Sequence, residues 1–231
     1  MNKVKYLGVI IVIIIFAIII VPNLIDRIKN NQIVENNRAS SASPLSYIKI
    51  NNEARKVPDF LFYNQDSLMI TNDDFKNKIY VAEFFFTRCP SICPIMNKNM
   101  KRIENKFGKR DDFGIASFTI DPENDRPHVL KSYAENYEVF SNNWHFLTGD
   151  KSDVYSLANK GFNIFASVNP DVAGGFEHQG YFALIDKKGF IRSRLDKFGN
   201  PIVYYLGIDE EGIDVQGTDL IIEDISKLLR E

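Results

Sequence analysis

The chain has 231 residues, 28 Lys plus Arg against 30 Asp plus Glu, a formal net charge of −2, and is 45% hydrophobic. Near-neutrality removes the electrostatic footprint of a nucleic-acid binder, and the apolar fraction is too high for a disordered chain. Two cysteines cannot staple a mini-protein or build a four-thiolate zinc site, so soft-ligand or imidazole chemistry rests on Cys89, Cys93, His128, His145 and His178.

A stub, residues 1–5, carries Lys3 and Lys5, and residues 6–22 follow without a charge as YLGVIIVIIIFAIIIVP. The sixteen residues from Tyr6 to Val21 rise about 24 Å as a helix, close to a ~30 Å hydrocarbon core. No small-residue cleavage pattern follows Ala17, so the reading is an uncleaved single transmembrane anchor rather than a signal peptide. Charge placement favours a cytoplasmic stub, and the stub is too short and too poor in Arg and Ser for a mitochondrial transit peptide. The expectation is a single-pass protein of the bacterial cell (inner) membrane, with its bulk outside the cytoplasm. Residues 23–57, rich in Asn and Ser, read as a polar tether, with room for one short strand in Leu45–Ile50. Residues 58–231 are enough for one sizeable core.

Within that domain strands and helices alternate. Phe60–Tyr63 and Leu68–Thr71 flank Asn64-Gln65-Asp66 as a hairpin. Ile79–Phe86 is a nearly unbroken apolar run, as expected of a central strand covered on both faces. Pro94 to Phe107 reads as a helix with Met96, Met100, Ile103 and Phe107 on one stripe and Gly108 as its stop. Gly114–Ile120 is a second buried strand, Pro127–Tyr137 a helix, and Trp144–Thr148 a strand. Ser152–Lys160 reads as a helix capped by Ser152 and closed by Gly161. Tyr181–Asp186 and Phe190–Leu195 bracket a tight turn, and Thr218 opens a last amphipathic helix. Strand–helix alternation followed by a hairpin and a helix is an α/β sandwich.

The segment FFFTRCPSICP puts Cys89 in the turn after the central strand and Cys93 at the start of the next helix. Open α/β sheets form their sites at the carboxyl ends of strands, and a helix N-terminus favours a thiolate, with Arg88 adding a positive charge. The spacing puts both sulfurs on one side of a helical turn. A disulfide staple would close too short a loop to matter to such a core, and buried inert thiols fit poorly between Pro90 and Pro94. A functional dithiol is the stronger reading.

FFFTRCPSICP, followed by TIDPEND and then by FEHQGYFALIDKKG, resembles the Sco/SenC family of copper-binding proteins from about Val57 to the C-terminus. The resemblance implies a thioredoxin-like fold that binds one copper ion, Cu(I) or Cu(II), through two Cys and one His. It also implies service to the copper A centre of cytochrome c oxidase, with the oxidase subunit carrying that site and a copper donor protein as partners. Carried over by motif, the ligands are Cys89, Cys93 and His178. Asp121 matches the family's acidic position after the second core strand, where it would support a ligand or handle a proton; the bland reading is a turn opener before Pro122. Family members usually carry Ser or Thr after the ligand His, where this chain has Gln179.

Two thiolates and an imidazole suit copper, whereas zinc prefers a fourth ligand. His178 follows the Gly-containing loop 171–177, so it can swing toward the dithiol. His128 reads as exposed, His145 as a packing or solvent-facing strand residue, and Met96 and Met100 as core. The segment Asp196–Gly217 reads as a surface insertion in preference to a partner-facing hairpin. Three functions remain: a membrane-tethered copper chaperone, a thiol–disulfide reductase for the oxidase's copper-site cysteines using Cys89 and Cys93, and a peroxidase with Cys89 as its reactive thiolate. The chaperone is favoured and the peroxidase is the weakest.

Overall fold

The computed structural model describes residues 45–196 and 198–231, together with Phe16, Ile18, Val21 and Pro22, which are helical. The chain divides into units 1–38 and 39–231. The stub 1–5, nearly all of the expected anchor over 6–22 and the tether from 23 to 44 lie outside the described residues. Among the described residues no helix is long and apolar enough to cross a membrane.

The folded unit contains, in chain order, β1 (Ser46–Tyr47), β2 (Lys49–Ile50), β3 (Glu53–Ala54), β4 (Leu61–Tyr63), β5 (Met69–Thr71), β6 (Ile79–Phe85), α1 (Ile92–Phe107), β7 (Phe113–Thr119), α2 (Pro127–Asn136), β8 (Trp144–Leu147) and α3 (Lys151–Ser156). There follow β9 (Ala166–Val168), β10 (Phe176–His178), β11 (Tyr181–Ile185), β12 (Ile191–Ser193), β13 (Tyr205–Leu206) and α4 (Gly217–Leu228). The main sheet runs β1-β12-β11-β6-β7-β8, and β13 pairs with β11. Strands β6, β7 and β8 are parallel, while β11 is antiparallel to β6. Every residue of β6 and β7 is buried, as the apolar runs predict for a doubly covered sheet. Alternation sends Phe84 and Phe118 to one face, against Phe60, Phe62 and Phe162. It sends Phe85 and Phe146 to the other, against Tyr133 of α2.

Three local readings change. The fold begins well before residue 58: Leu45, Ile48 and Val57 are buried, and β1 pairs with β12 through Ser46 and Tyr47. The apolar residues spaced through a polar stretch find the sheet edge, so the tether is shorter than 23–57. Helix α3 is capped by Asp150, whose carboxylate accepts from Ser152 and Asp153 N–H, and it widens into a π-turn, Leu157–Phe162, that ends at left-handed Asn163. The last turn's carbonyls are taken by Arg55, bonded to Lys160 O and Gly161 O, and by the Tyr204 hydroxyl on Phe162 O. Asp196–Gly217 is more than a surface insertion: Tyr205 and Leu206 join β11, and Tyr205 is buried with its hydroxyl on Asp224 Oδ2 at 2.7 Å. Gly217 has to be glycine here, since a Cβ would lie 2.2 Å from Leu206 O. Gly108 caps the end of α1 as read, with right-handed helical angles and its N–H on Glu104 O at 2.6 Å.

One charged side chain hides inside β6. Glu83 is fully buried; Oε1 accepts from Ser117 Oγ at 2.7 Å, Ser117 Oγ accepts from Trp144 Nε1 at 3.0 Å, and Oε2 has no partner. Burial pushes its pKa up from 4.5 to about 7, opposed by the Ser117 hydrogen bond. A folded-state pKa above the unfolded one favours the protonated form, so that contribution is complete below about pH 4.5 and is lost as pH rises through about 7. Glu83→Gln, neutral throughout, should therefore gain on the wild type by on the order of 3 kcal/mol between pH 4.5 and 8. Denaturant or thermal unfolding across that range checks it, and parallel profiles for the two proteins would refute it.

Candidate metal centre

The end of β6 leads directly into the site. Asp125, fully buried, accepts from Thr87 N (2.9 Å), Thr87 Oγ1 (2.5 Å) and Thr119 Oγ1 (2.5 Å). It therefore fastens the first loop residues after β6 to the end of β7. Arg88 pairs with Asp121 at 2.6 Å, where the Asp121 side chain is 3% exposed. Asp121 thus reaches the cysteine loop through Arg88, and Arg88's charge is engaged with Asp121. Asp125 was missed in the sequence; two acids four residues apart just after a strand were the available signal.

Cys89 lies in the turn, its N–H on Phe86 O at 3.2 Å, and Cys93 is the second residue of α1. The N-cap residue Ser91 makes no side-chain cap bond. The Cys89 sulfur takes that place, accepting the Cys93 N–H at 3.5 Å. A sulfur that caps a helix sits where the helix partial charge and free N–H groups favour an anion. His178, at the end of β10, places Nε2 3.2 Å from Cys93 Sγ. One ligand atom from each of Cys89, Cys93 and His178 lies within 4.8 Å of the other two. Both cysteines are free thiols and buried, and His178 is half-buried.

The pair is electrostatically split. The hydrogen bond from Cys93 lowers the Cys89 pKa to about 3, aided by His178 and by the backbone N–H groups of Cys93 and Ser91, against desolvation. Cys93 moves far upward, through its bond to Cys89, its burial and the Cys89 charge. The Cys93 sulfur has two polar neighbours, the Cys89 sulfur and His178 Nε2. His178 Nδ1 lies 3.3 Å from the Gln179 carbonyl, which can only accept, so the Nδ1 edge is held there and the Nε2 edge is the one turned to the sulfurs. Two sulfurs and one such nitrogen form a soft donor set that suits copper, and among the described residues this is the cluster of metal-binding type.

The other candidates fall away as expected. His128 is exposed on α2. His145 in β8 meets Phe75 edge-on at 5.6 Å and accepts from Asn64 Nδ2 at 3.3 Å, and burial lowers its pKa. Met96 and Met100 are wholly buried in the core. Phe86 is a residue whose role the apolar run concealed: its ring meets His178 at 5.8 Å and Phe176 at 5.2 Å. Gly174, at φ +90°, lies so close that a Cβ would be 2.9 Å from the Phe86 ring and 3.2 Å from Pro90.

The family model described as SCO1/SenC matches residues 49–210. The SCO1 protein homolog of Bacillus subtilis is 36% identical over 136 residues, which are 58% of this chain and 70% of that protein. The solved structure of BsSco, described as a member of the Sco family of cytochrome c oxidase assembly proteins in which a disulfide switch was identified, is similar with TM-score 0.60 and 31% identity. That match covers 80% of this chain and 95% of the other. Bradyrhizobium japonicum ScoI, solved with copper bound, shares the fold at TM-score 0.58 and 19% identity, over 76% of this chain and 99% of the other. These neighbours and the mixed sheet bear out a thioredoxin-like α/β fold. The match over most of the folded unit, together with the Cys89, Cys93 and His178 cluster, places the chain in the SCO1/SenC family.

Proposed function

We propose that the chain is a copper carrier that takes one copper ion on Cys89, Cys93 and His178 and delivers it to the copper A centre of cytochrome c oxidase. The observation that carries this reading is the convergence of two sulfurs and an imidazole nitrogen within 4.8 Å on a chain of the SCO1/SenC family. Copper bound in a fold relative and oxidase assembly assigned to BsSco support it. The uncharged segment 6–22 is the anchor of this reading. It holds the domain outside the cytoplasm at the bacterial cell membrane, beside the oxidase and a copper donor protein.

The residues divide the work. Cys89 is already a thiolate at neutral pH and meets an incoming Cu(I) first. Cys93 gives up its proton as its sulfur becomes the second ligand, and the two thiolates carry the ion with one net negative charge. His178 offers Nε2 as the third ligand from a separate ribbon. Three ligands leave coordination open for a client's donor to enter before a resident one departs.

A second reading, reduction of the client's copper-site disulfide, is favoured by the same pKa split. Cys89 attacks a client sulfur to give a mixed disulfide, and Cys93 then attacks Cys89, releasing the client thiol and leaving Cys89–Cys93 oxidised. The two readings part at His178, which metal binding requires and thiol exchange does not.

Copper titration of the reduced protein should therefore give one equivalent bound, and His178→Ala should weaken binding by more than about 100-fold. Loss of groups that merely support a ligand already costs 10–100-fold. Unchanged affinity in His178→Ala, with dithiol-dependent reduction of a model disulfide retained, would overturn the carrier reading in favour of the reductase. The thiol split has its own check. Alkylation at Cys89 should stay nearly constant from pH 8 to pH 5, where an ordinary thiol slows on the order of 1000-fold. Cys93→Ala, which removes the largest cause of the lowering, should restore the steep pH dependence.

A further inference from the structure

Cys89 and Cys93 belong to the rigid junction of β6 and α1, but His178 does not. It ends β10, which pairs with β9 in a separate two-stranded ribbon, in register Phe176↔Val168, Glu177↔Ser167 and His178↔Ala166. Beyond the ribbon, Gly180 is tied to the body of the domain, its carbonyl accepting Gly207 N–H at 2.8 Å. Residue 179 is therefore the joint between a fixed strand and the arm that carries the third ligand.

Three contacts hold the arm in place over the dithiol. The Phe86 ring touches Phe176 and His178. The Asn159 amide, in the π-turn, bonds both backbone groups of Ala166, the residue opposite His178, at 3.1 and 2.9 Å. Gln179 closes the open end. Its N–H donates to Phe165 O at 3.2 Å, its side-chain Oε1 accepts Phe165 N–H at 2.9 Å, and its carbonyl accepts the His178 Nδ1 proton at 3.3 Å. One residue thus pins both strands of the ribbon at its base and turns the imidazole so that Nε2 faces the sulfurs.

Resting on the copper reading above, we propose that Gln179 is a positioning residue for the third ligand, its side-chain carbonyl setting how firmly His178 is held over Cys89 and Cys93 and so how fast the metal leaves. The acceptor oxygen is the operative atom. The bond is solvent-exposed, so its loss loosens the arm without unfolding the domain.

The test compares wild type, Gln179→Met and Gln179→Glu as full-length proteins. Methionine keeps the volume and removes the acceptor, whereas glutamate keeps an acceptor oxygen. Cu(I) release to a coloured chelator is followed by stopped flow, and the thiolate-to-Cu(II) absorption band of the Cu(II)-loaded form is recorded. Gln179→Met should release copper about three- to tenfold faster, the range that one exposed hydrogen bond supplies, and shift the band. Gln179→Glu should release at or below the wild-type rate. Apo melting temperatures of all three should coincide, since the core is untouched. Amide exchange of Phe165 and Ser167 in the metal-free proteins gives an independent arm, faster in Gln179→Met alone. Wild-type release and wild-type exchange in Gln179→Met would overturn the proposal, as would equal loss in Gln179→Glu. A wild type that binds no copper refutes the carrier reading, while the amide arm still decides whether Gln179 clamps the ribbon.

Discussion

The close approach of two sulfurs and one imidazole edge is the constraint around which the site is organised. Cys93 Sγ is wholly buried, 3.2 Å from His178 Nε2, and its hydrogen bond to Cys89 is the largest cause of the low pKa of Cys89. A thiolate and a thiol of such different acidity coexist here because one sulfur caps a helix and the other lies beneath the first turn. The site can then be neutralised in two ways, by a cation that takes the proton's place or by oxidation of the pair. Both belong to the chemistry of two thiols, and it is the imidazole that tilts the balance toward a metal.

Around that cluster the protein combines a fixed part with an adjustable one. The fixed part is the carboxyl end of β6, held to β7 by Asp125 and to Asp121 by Arg88, so the cysteine loop inherits the rigidity of two fully buried strands. The adjustable part is the β9–β10 ribbon, which shares no ladder with the main sheet and rests on an aromatic ring and a few amides. The proposed carrier role would use this asymmetry: two fixed ligands would keep the ion from escaping, and one that lifts would let a client in. A thioredoxin-like scaffold does not by itself select such a function, since function is carried by residues placed on a fold. Here those residues are Cys89, Cys93 and His178.

Much of this was legible in the residues themselves. The buried strands announced themselves through Ile79–Phe86 and Gly114–Ile120, because a strand covered on both faces has no polar side to show. The cysteine pair was legible because its prolines and its position after a strand leave little else for it to be. The exceptions share one cause, which is partnership across long sequence separations. Leu45 and Ile48 lie in a stretch that offers a short strand within an otherwise polar tether, and only the edge of β12 makes that strand part of the fold. Tyr205 looks like surface until β11 and Asp224 receive it. Glu83 interrupts an apolar run, and only Ser117 and Trp144, brought alongside by parallel pairing, explain how its carboxyl is tolerated there.

The sequence by itself determined the class of fold, the dithiol at a strand-to-helix turn and the identity of the third candidate ligand, because these follow from local pattern and from motif. Tertiary structure alone decided that His178 Nε2 meets Cys93 Sγ, that Arg88 pairs with Asp121, and that Gln179 forms the base of the ligand arm. The physical reason is that each of these contacts joins segments separated by 14 to 85 positions. Their distances depend on how strands register and loops close, which no local pattern encodes.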